Sequence, residues 1–410
     1  MNHMKTNKLF TNEQHGFLPN RSCVTQLLLI INHWTKLLDE GNCIDSIYLD
    51  FSKAFDSVPH ERLLLKLQKY GIRGKAAEWI RSFLTDRHQQ VKIKGSVSDW
   101  TPVLSGVPQG SVLGPLLFLI FINDLPDTQQ NFIKIFADDT KIYGLASHEN
   151  HSSIQKDLDS AFQWSNTWNL PFNTDKCKVM HIGRRNPQIS YSLPNGHGNT
   201  RTELYKVSEE KDLGVTFDQN LSFKAQIANS ASKANQMTGV VKRSIENLDT
   251  TIFLPLYKAL IRPHLEYANV IWRPYKKIDI TKIEAVQRRA TKSIPSLVHL
   301  EYPDRLKTLG LPSLEYRRAR GDMIQTYKIV HNLDDIDPTT IFTFLGASVT
   351  RGHSLRLKHP RPRLDLYKYS FACRVVGPWN ELPSELVHAD SLNIFKNLLD
   401  KHWCHLKYVF

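Results

Sequence analysis

The sequence predicts an α+β domain built on an antiparallel sheet with helices on one face, followed by a region that is almost wholly helical. Three observations carry this. Between residues 24 and 182 apolar residues recur with helical or strand period in the order helix, strand, helices, strand pair, helix, strand. A stretch rich in Pro, Gly and Asn, 184–203, then reads as a loop or boundary. From about 221 to 330 the period is helical, with kinks expected at Pro255, Pro263, Pro274 and Pro295.

The elements follow in order. Residues 24–40 have helical apolar spacing and stop at Gly41-Asn42. Ile44, Ile47 and Leu49, among β-branched and aromatic neighbours, read as a strand. Residues 59–71 open on Pro and close on Gly, a punctuated helix. A further helix is expected over 75–87, a strand over 89–93 and an apolar helix over 112–122. Residues 132–144 alternate on both sides of Ala137-Asp138-Asp139-Thr140, which predicts a β-hairpin with an acidic tip. Helix 153–168 and strand 176–182 complete the domain. The tail from 346 is rich in Gly, Pro and basic residues and ends in a helix from Ser391.

Composition excludes several classes. The 410 residues are 41% hydrophobic and 23% charged, an ordinary globular mixture, and neither collagen-like nor coiled coil. The longest apolar run, Val112–Ile122, is too short to cross a bilayer, so no membrane partner is expected. No signal peptide is read at the N-terminus, and five scattered cysteines read as reduced thiols, so an intracellular protein of the nucleus or cytoplasm is expected. The net charge of +13 points to a polyanionic partner. Its distribution is uneven: +5 over 51–100, +6 over 251–300 and +5 over 351–410, against −3 over 101–150. Basic flanks around an acidic island suit a metal-dependent enzyme acting on nucleic acid, and equally an uneven surface charge.

Three features can carry chemistry. Asp50 closes an apolar strand, and Asp138 and Asp139 sit at the hairpin tip. Carboxylates at strand ends suit hard cations, and convergence of all three would serve a two-metal site. The plainer reading of Asp-Asp is a turn, which the apolar residues Ile133, Ile135, Phe136 and Ala137 weaken. The third feature is the segment 105–115, in which three glycines and two prolines surround Gln109. It fits a close approach to a base pair as well as it fits a loop leading into the next helix.

The chain resembles the reverse transcriptases of non-LTR (LINE, jockey-like) retrotransposons. Nine segments carry the resemblance, in family order: EQHGFLPNRSC (13–23), YLDFSKAFDSVPH (48–60), LSGVPQGSVLGPLLFLIFINDLP (104–126), FADDTKIY (136–143), WNLPFNTDKCKVM (168–180), KDLGVTFD (211–218), LIRPHLEYANVIW (260–272), IEAVQRRATKSIP (283–295) and GPWNELPSELVHADSLNIFKNLLD (377–400). The resemblance implies a right-hand polymerase: partial fingers and a ferredoxin-like palm over 1–205, a primer-grip hairpin and helical thumb over 206–335, and an element-specific region over 336–410. It implies RNA-directed DNA synthesis on an RNA template from a DNA primer with deoxynucleoside triphosphates, and two Mg²⁺, with Mn²⁺ as a substitute.

Carried over by residue, Asp50, Asp138 and Asp139 are catalytic and hold metal, joined by the carbonyl of Phe51. Lys176 protonates the leaving pyrophosphate; the plainer reading is a solvated lysine. Phe55 gates the sugar, with core packing as the rival reading, and Gln109, Gly110 and Arg21 face the nucleotide or template. Leu213 and Gly214 match the primer grip. Arg262, Arg288, Arg289 and Lys292 follow phosphates, with His264, Tyr267 and Trp272 among them; a solvated basic face is the alternative. Only 12 residues precede Glu13, which reads as N-terminal truncation. The second reading is accordingly an inactive remnant that binds nucleic acid. No ribonuclease H carboxylates or zinc spacing are found.

Overall fold

The computed structural model describes residues 1–147, 151–194, 200–346 and 352–409. They form two compact units, one of residues 1–26 and 42–208, the other of 27–41 and 209–410.

The first unit is built on a five-stranded sheet. Its strands are β1 (Ile44–Leu49), β2 (Phe132–Phe136), β3 (Asp139–Leu145), β4 (Lys178–Ile182) and β5 (Tyr205–Val207), in the order β5-β4-β1-β3-β2. β1 lies at the centre, antiparallel to β3 and β4. β5 joins parallel to β4. The expected purely antiparallel sheet is thus corrected at one edge: the excursion between β4 and β5 is long enough to bring the chain back in the same direction. That excursion is also more than a loop, since Ser192–Pro194 pairs with Arg201–Glu203. Buried Tyr191 and Leu193 anchor it, beneath a composition that reads as coil.

Helix α1 (Cys23–Asp39) belongs to the second unit from Leu27 on, and helices α2 (His60–Lys69), α3 (Lys75–Leu84), α4 (Leu113–Ile122) and α5 (His151–Trp168) complete the first. α4 is apolar on every side and is buried from Leu117 to Ile122, as an all-round hydrophobic helix must be. The sheet is covered on both faces at its centre, where successive β1 residues Ile44, Asp45, Ser46 and Ile47 are buried. Asp45 shows how: its carboxylate accepts from His181 Nδ1 at 2.6 Å, Asn186 Nδ2 at 2.9 Å and the Tyr191 hydroxyl at 2.7 Å.

A buried cation locks the helices together. Lys66 of α2 is completely buried and donates to Asp124 Oδ1 at 2.6 Å and to the carbonyl of Phe121. Its ammonium lies 3.8 Å from the Trp168 ring centre and 4.6 Å from that of Trp164, and the Trp164 indole N–H also donates to Asp124.

In the second unit a hairpin of β6 (Glu209–Asp212) and β7 (Val215–Asp218) leads into α6 (Lys224–Ser244), α7 (Lys277–Thr291), α8 (Leu314–Val330) and α9 (Leu392–His402). Between α6 and α7 the prolines act as expected. Helix Thr250–Leu256 contains Pro255 and widens into a π turn over Tyr257–Ile261, and Pro263 opens the next short helix, Arg262–Glu266. The tail holds four further short helices between Asp365 and Val387 before α9, whose N-cap is Ser391. Arg374 from this tail grips buried Asp322 of α8 through two hydrogen bonds of 2.8 Å, and Arg273 adds a third at 2.6 Å. Paired guanidinium charges hold the Asp322 carboxyl below its ordinary range against the effect of burial. Among the described residues no helix is long and apolar enough to cross a membrane.

Candidate active site

The β2–β3 hairpin closes on the pair Phe136 and Asp139, so Ala137 and Asp138 form a two-residue turn. Ala137 sits at φ +55°, a conformation that costs an L-residue energy and persists only where its surroundings enforce it. Residues 13–16 enforce it. The main chain of Ile135 exchanges hydrogen bonds with Glu13 and His15 at 3.0 and 2.8 Å. The Gln14 side-chain oxygen accepts from Ala137 N at 2.9 Å and from Gly16 N at 2.7 Å. Gly16 lies so close that a Cβ would stand 2.5 Å from Ala137 N. Neither Gln14 nor Gly16 figures in the expected site, because a single glutamine-glycine pair carries no periodic signal. Gly16→Ala should therefore displace the turn, lowering the melting temperature and any Asp138-dependent activity together. An unchanged crystal position for Asp138 in that variant would refute the clamp.

Arg21 belongs to this clamp. Its Nη1 donates to the carbonyls of Thr11, Asn12 and Gln14 at 3.3, 3.1 and 2.6 Å. In the structure Arg21 thereby braces the main chain of residues 11–14.

Asp50 follows β1 directly. Pairing of Leu49 with Thr140 sets it beside the turn. Its main chain is held by Asn173 N, which donates to Asp50 O at 2.7 Å, and the neighbouring Ser52 N donates to Pro171 O at 2.8 Å. Phe51 is buried, with its ring 4.4 Å from that of Phe172. The turn at 173–176 carries Lys176, whose Nζ stands 3.8 Å from Asp50 Oδ2. The pair is open to solvent and contributes little to stability; it is placement that matters.

These carboxylates sense one another. Burial, and then the charge of Asp50, raise the Asp138 carboxyl above its ordinary range, against a hydrogen bond from its own main chain. Burial and then the charge of Asp138 raise Asp139, with Asp50 adding to the effect and Lys141 opposing it. Among the described residues no three His, Cys, Asp or Glu side chains group to hold an ion. Asp138 lies in the turn, and Asp139 is the first residue of β3. The fit to a hard cation therefore rests on Asp50 and Asp138 with main-chain oxygens, a part-filled oxygen shell of the kind Mg²⁺ accepts.

The glycine-rich segment docks on the loop after Asp50. Gly106 N donates to Val58 O and Val107 N to Phe55 O, both at 2.8 Å. Gly106 has φ +88°, and a Cβ there would stand 2.7 Å from Asp56 Cα. Gln109 Nε2 donates to Asp56 Oδ1 at 2.9 Å, with Gly110 next to it at φ +84°. Phe55 and Gln109 are thus brought together through Asp56, a residue the sequence reading passed over. The Phe55 ring is half-buried, 4.3 Å from Phe118 and edge-on to Phe17 at 6.3 Å.

In the second unit Leu213 and Gly214 form the two-residue β6–β7 turn, both with positive φ, +44° and +85°. The Tyr267 hydroxyl donates to Leu213 O at 2.8 Å, and a Cβ on Gly214 would meet the Tyr267 ring at 2.9 Å. Tyr267 therefore buttresses the turn. Trp272 is buried to 1% exposure and donates to Tyr267 O, so it is core and not a stacking platform. Arg262 is half-buried and pairs with Glu266 at 3.6 Å. On α7, Arg288 lies over the Tyr302 ring at 5.0 Å, whereas Arg289 joins Lys282 in a 510 Å³ groove against Ala228, Ser232 and Gln236 of α6. Lys292 is the exposed C-cap. All three are exposed, and Lys292 follows Arg288 by four residues and Arg289 by three, the spacing of neighbours on one helix face.

A strand-end aspartate, a clamped acidic turn and a facing lysine thus stand together at one end of the sheet. Residues 1–219 match the family Reverse transcriptase (RNA-dependent DNA polymerase), and the chain belongs to that family. Relatives within it include RNA-directed DNA polymerases of mobile elements, jockey among them, as the sequence motifs implied. The chain is 26% identical over 352 residues to the RNA-directed DNA polymerase from mobile element jockey of Drosophila melanogaster, covering 82% of this chain and 37% of that protein. It is 26% identical over 313 residues to the probable RNA-directed DNA polymerase from transposon BS of the same fly, covering 71% of this chain and 33% of that one. The chain thus spans a third to two fifths of the length of these relatives. Apo telomerase from Candida tropicalis aligns at TM-score 0.41 and 10% identity over 75% of this chain and 52% of that chain, a likeness too weak to build on.

Proposed function

We propose that this chain is the RNA-directed DNA polymerase portion of a non-LTR retrotransposon protein, acting on an RNA template, a DNA primer and deoxynucleoside triphosphates. The observation that carries it is the β1–β3 register, which sets Asp50 beside the clamped Ala137-Asp138 turn, with Lys176 3.8 Å away. In this reading the first unit supplies palm and partial fingers, residues 206–335 a primer-grip hairpin and thumb, and 336–410 an element-specific region.

Asp50 and Asp138, with the carbonyl of Phe51, would hold two Mg²⁺, or Mn²⁺ in their place, and Asp139 would keep the neighbourhood anionic. Bound there, the cations would polarise the phosphoryl oxygens and activate the primer 3′-hydroxyl. The rest falls to the chain. Lys176 Nζ donates a proton to the leaving pyrophosphate oxygen. Gln109 and Gly110 back the nascent base pair, braced by Asp56. Leu213 and Gly214 support the primer end, and Arg262, Arg288, Arg289 and Lys292 draw phosphates.

The test is extension of a DNA primer on homopolymer RNA by purified protein. Tight hybrid binding without extension would replace the polymerase with a binding remnant. The Phe55 ring gives a second check. It stacks on Phe118 by one face and is not enclosed, so Phe55→Val should admit ribonucleotides at least about tenfold more readily, a change of about 1.4 kcal/mol in discrimination. A lower melting temperature with unchanged sugar choice would make Phe55 core only.

A further inference from the structure

Between Arg87 and Val103 the chain forms a two-stranded ribbon. His88–Gln89 pairs with Thr101–Pro102 and Lys92–Ile93 with Ser96–Val97, around a tip of Lys94 and Gly95 with positive φ. Every residue from 88 to 102 is exposed. A lone two-stranded ribbon is at best marginally stable in water, so one packed on nothing gains from a partner. Its side chains are not those of a solvated loop: Val91, Ile93 and Val97 are exposed, and Trp100 is 65% exposed. His88, Lys92 and Lys94 face a single acid, Asp99.

A second copy of this chain is a poor occupant. Edge-to-edge pairing of two ribbons would bring Lys92 and Lys94 against themselves, and edge lysines oppose that pairing. An exposed indole among cations suits an unpaired nucleic acid, whose bases stack while its phosphates meet ammonium groups. The ribbon is also tied to the site. Arg87 at its base donates to Gly106 O at 2.9 Å and to Leu84 O at 2.8 Å, and Val103 N donates to Arg87 O at 2.8 Å. It therefore rises from the segment that carries Gln109.

We propose that the 88–102 ribbon binds the single-stranded RNA template not yet copied, with a base stacked on Trp100 and phosphates at Lys92 and Lys94. The proposal rests on the polymerase reading above.

The experiment compares binding of a blunt RNA–DNA hybrid with the same hybrid bearing a ten-nucleotide 5′ RNA overhang, by fluorescence anisotropy at fixed salt. The overhang should tighten binding by roughly tenfold, the effect of one stacked base. Trp100→Ala with Lys92→Gln and Lys94→Gln should remove that gain and leave blunt-hybrid affinity unchanged, while Trp100→Phe alone should keep most of it. All three positions are exposed, so an unchanged melting temperature is expected for both variants. The proposal is overturned if the triple variant keeps the full gain. It is overturned equally if the unmodified protein binds the blunt hybrid and gains nothing from the overhang. A dimer in sedimentation that only the triple variant dissociates, with the gain intact, would make the ribbon a self-association edge instead. Failure to bind any hybrid would remove the polymerase reading together with this one.

Discussion

On the polymerase reading, Asp138→Asn is expected to abolish primer extension, by about a hundredfold or more, and to leave hybrid affinity and folding intact. Removal of one preorganised charge-stabilising group commonly costs two to three orders of magnitude in turnover. The asparagine keeps the turn's shape and loses the charge that would hold a cation. Stability moves the other way. The folded Asp138 carboxyl titrates above its ordinary value, because of burial and then Asp50. The folded state thus holds this proton to higher pH than the unfolded chain, and its contribution to stability falls as pH rises through the folded value. Above the folded value the charged carboxylate is a full liability, and Asp138→Asn removes it. The variant should melt no lower than the parent at pH 7 and lose its relative advantage below the Asp138 titration. A variant that is inactive and also several degrees less stable would make Asp138 a turn-former and not a cation ligand.

Lys66→Ala destabilises the first unit by about 3–5 kcal/mol, the usual result of stranding one member of a buried ion pair. Asp124 would lose its buried cation partner, and the ammonium would vanish from between Trp164 and Trp168. The consequence reaches the site, because the Trp164 ring meets Phe51, the residue after Asp50, edge-on at 6.3 Å. Denaturant unfolding of Lys66→Ala, Asp124→Ala and the double variant closes the cycle, and the double should recover part of the loss. A pH signature accompanies it. Burial lowers Lys66 to about 8 from 10.5, with Asp124 opposing the shift. Between those values the unfolded chain binds more protons than the folded one, so the Lys66 contribution makes stability rise with pH over that window. Lys66→Met should lack this rise. Independent losses at the two positions, with no recovery in the double variant, would mean that Lys66 and Asp124 do not act as a pair.

Legibility in the sequence followed how local the cause was. The Asp138 hairpin was readable because its strands alternate on both sides of the acidic pair, and helix α4 because it is apolar throughout. The kinks at Pro255 and Pro263 follow from a missing N–H, a property of the residue itself. The parallel β5 was not readable, since its partner lies across an excursion that looks like coil. Trp272 and Tyr267 show the same limit. Aromatics among cations look alike whether they face solvent or a core, and only packing made one a buried anchor and the other the brace of Leu213.

The sequence by itself determined which groups are proposed to carry the chemistry: Asp50 at a strand end, Asp138 at a hairpin tip, Gln109 in a glycine-rich loop and Lys176 after a turn. Those are choices of residue type and local geometry, and both are written along the chain. The tertiary structure alone decided which of them meet. Leu49 paired with Thr140 brings Asp50 to the turn, Gln14 and Gly16 hold Ala137 in its costly conformation, and Asp56 joins Gln109 to Phe55. Pairing register and close backbone approach depend on residues far apart in the chain, and no local pattern encodes them.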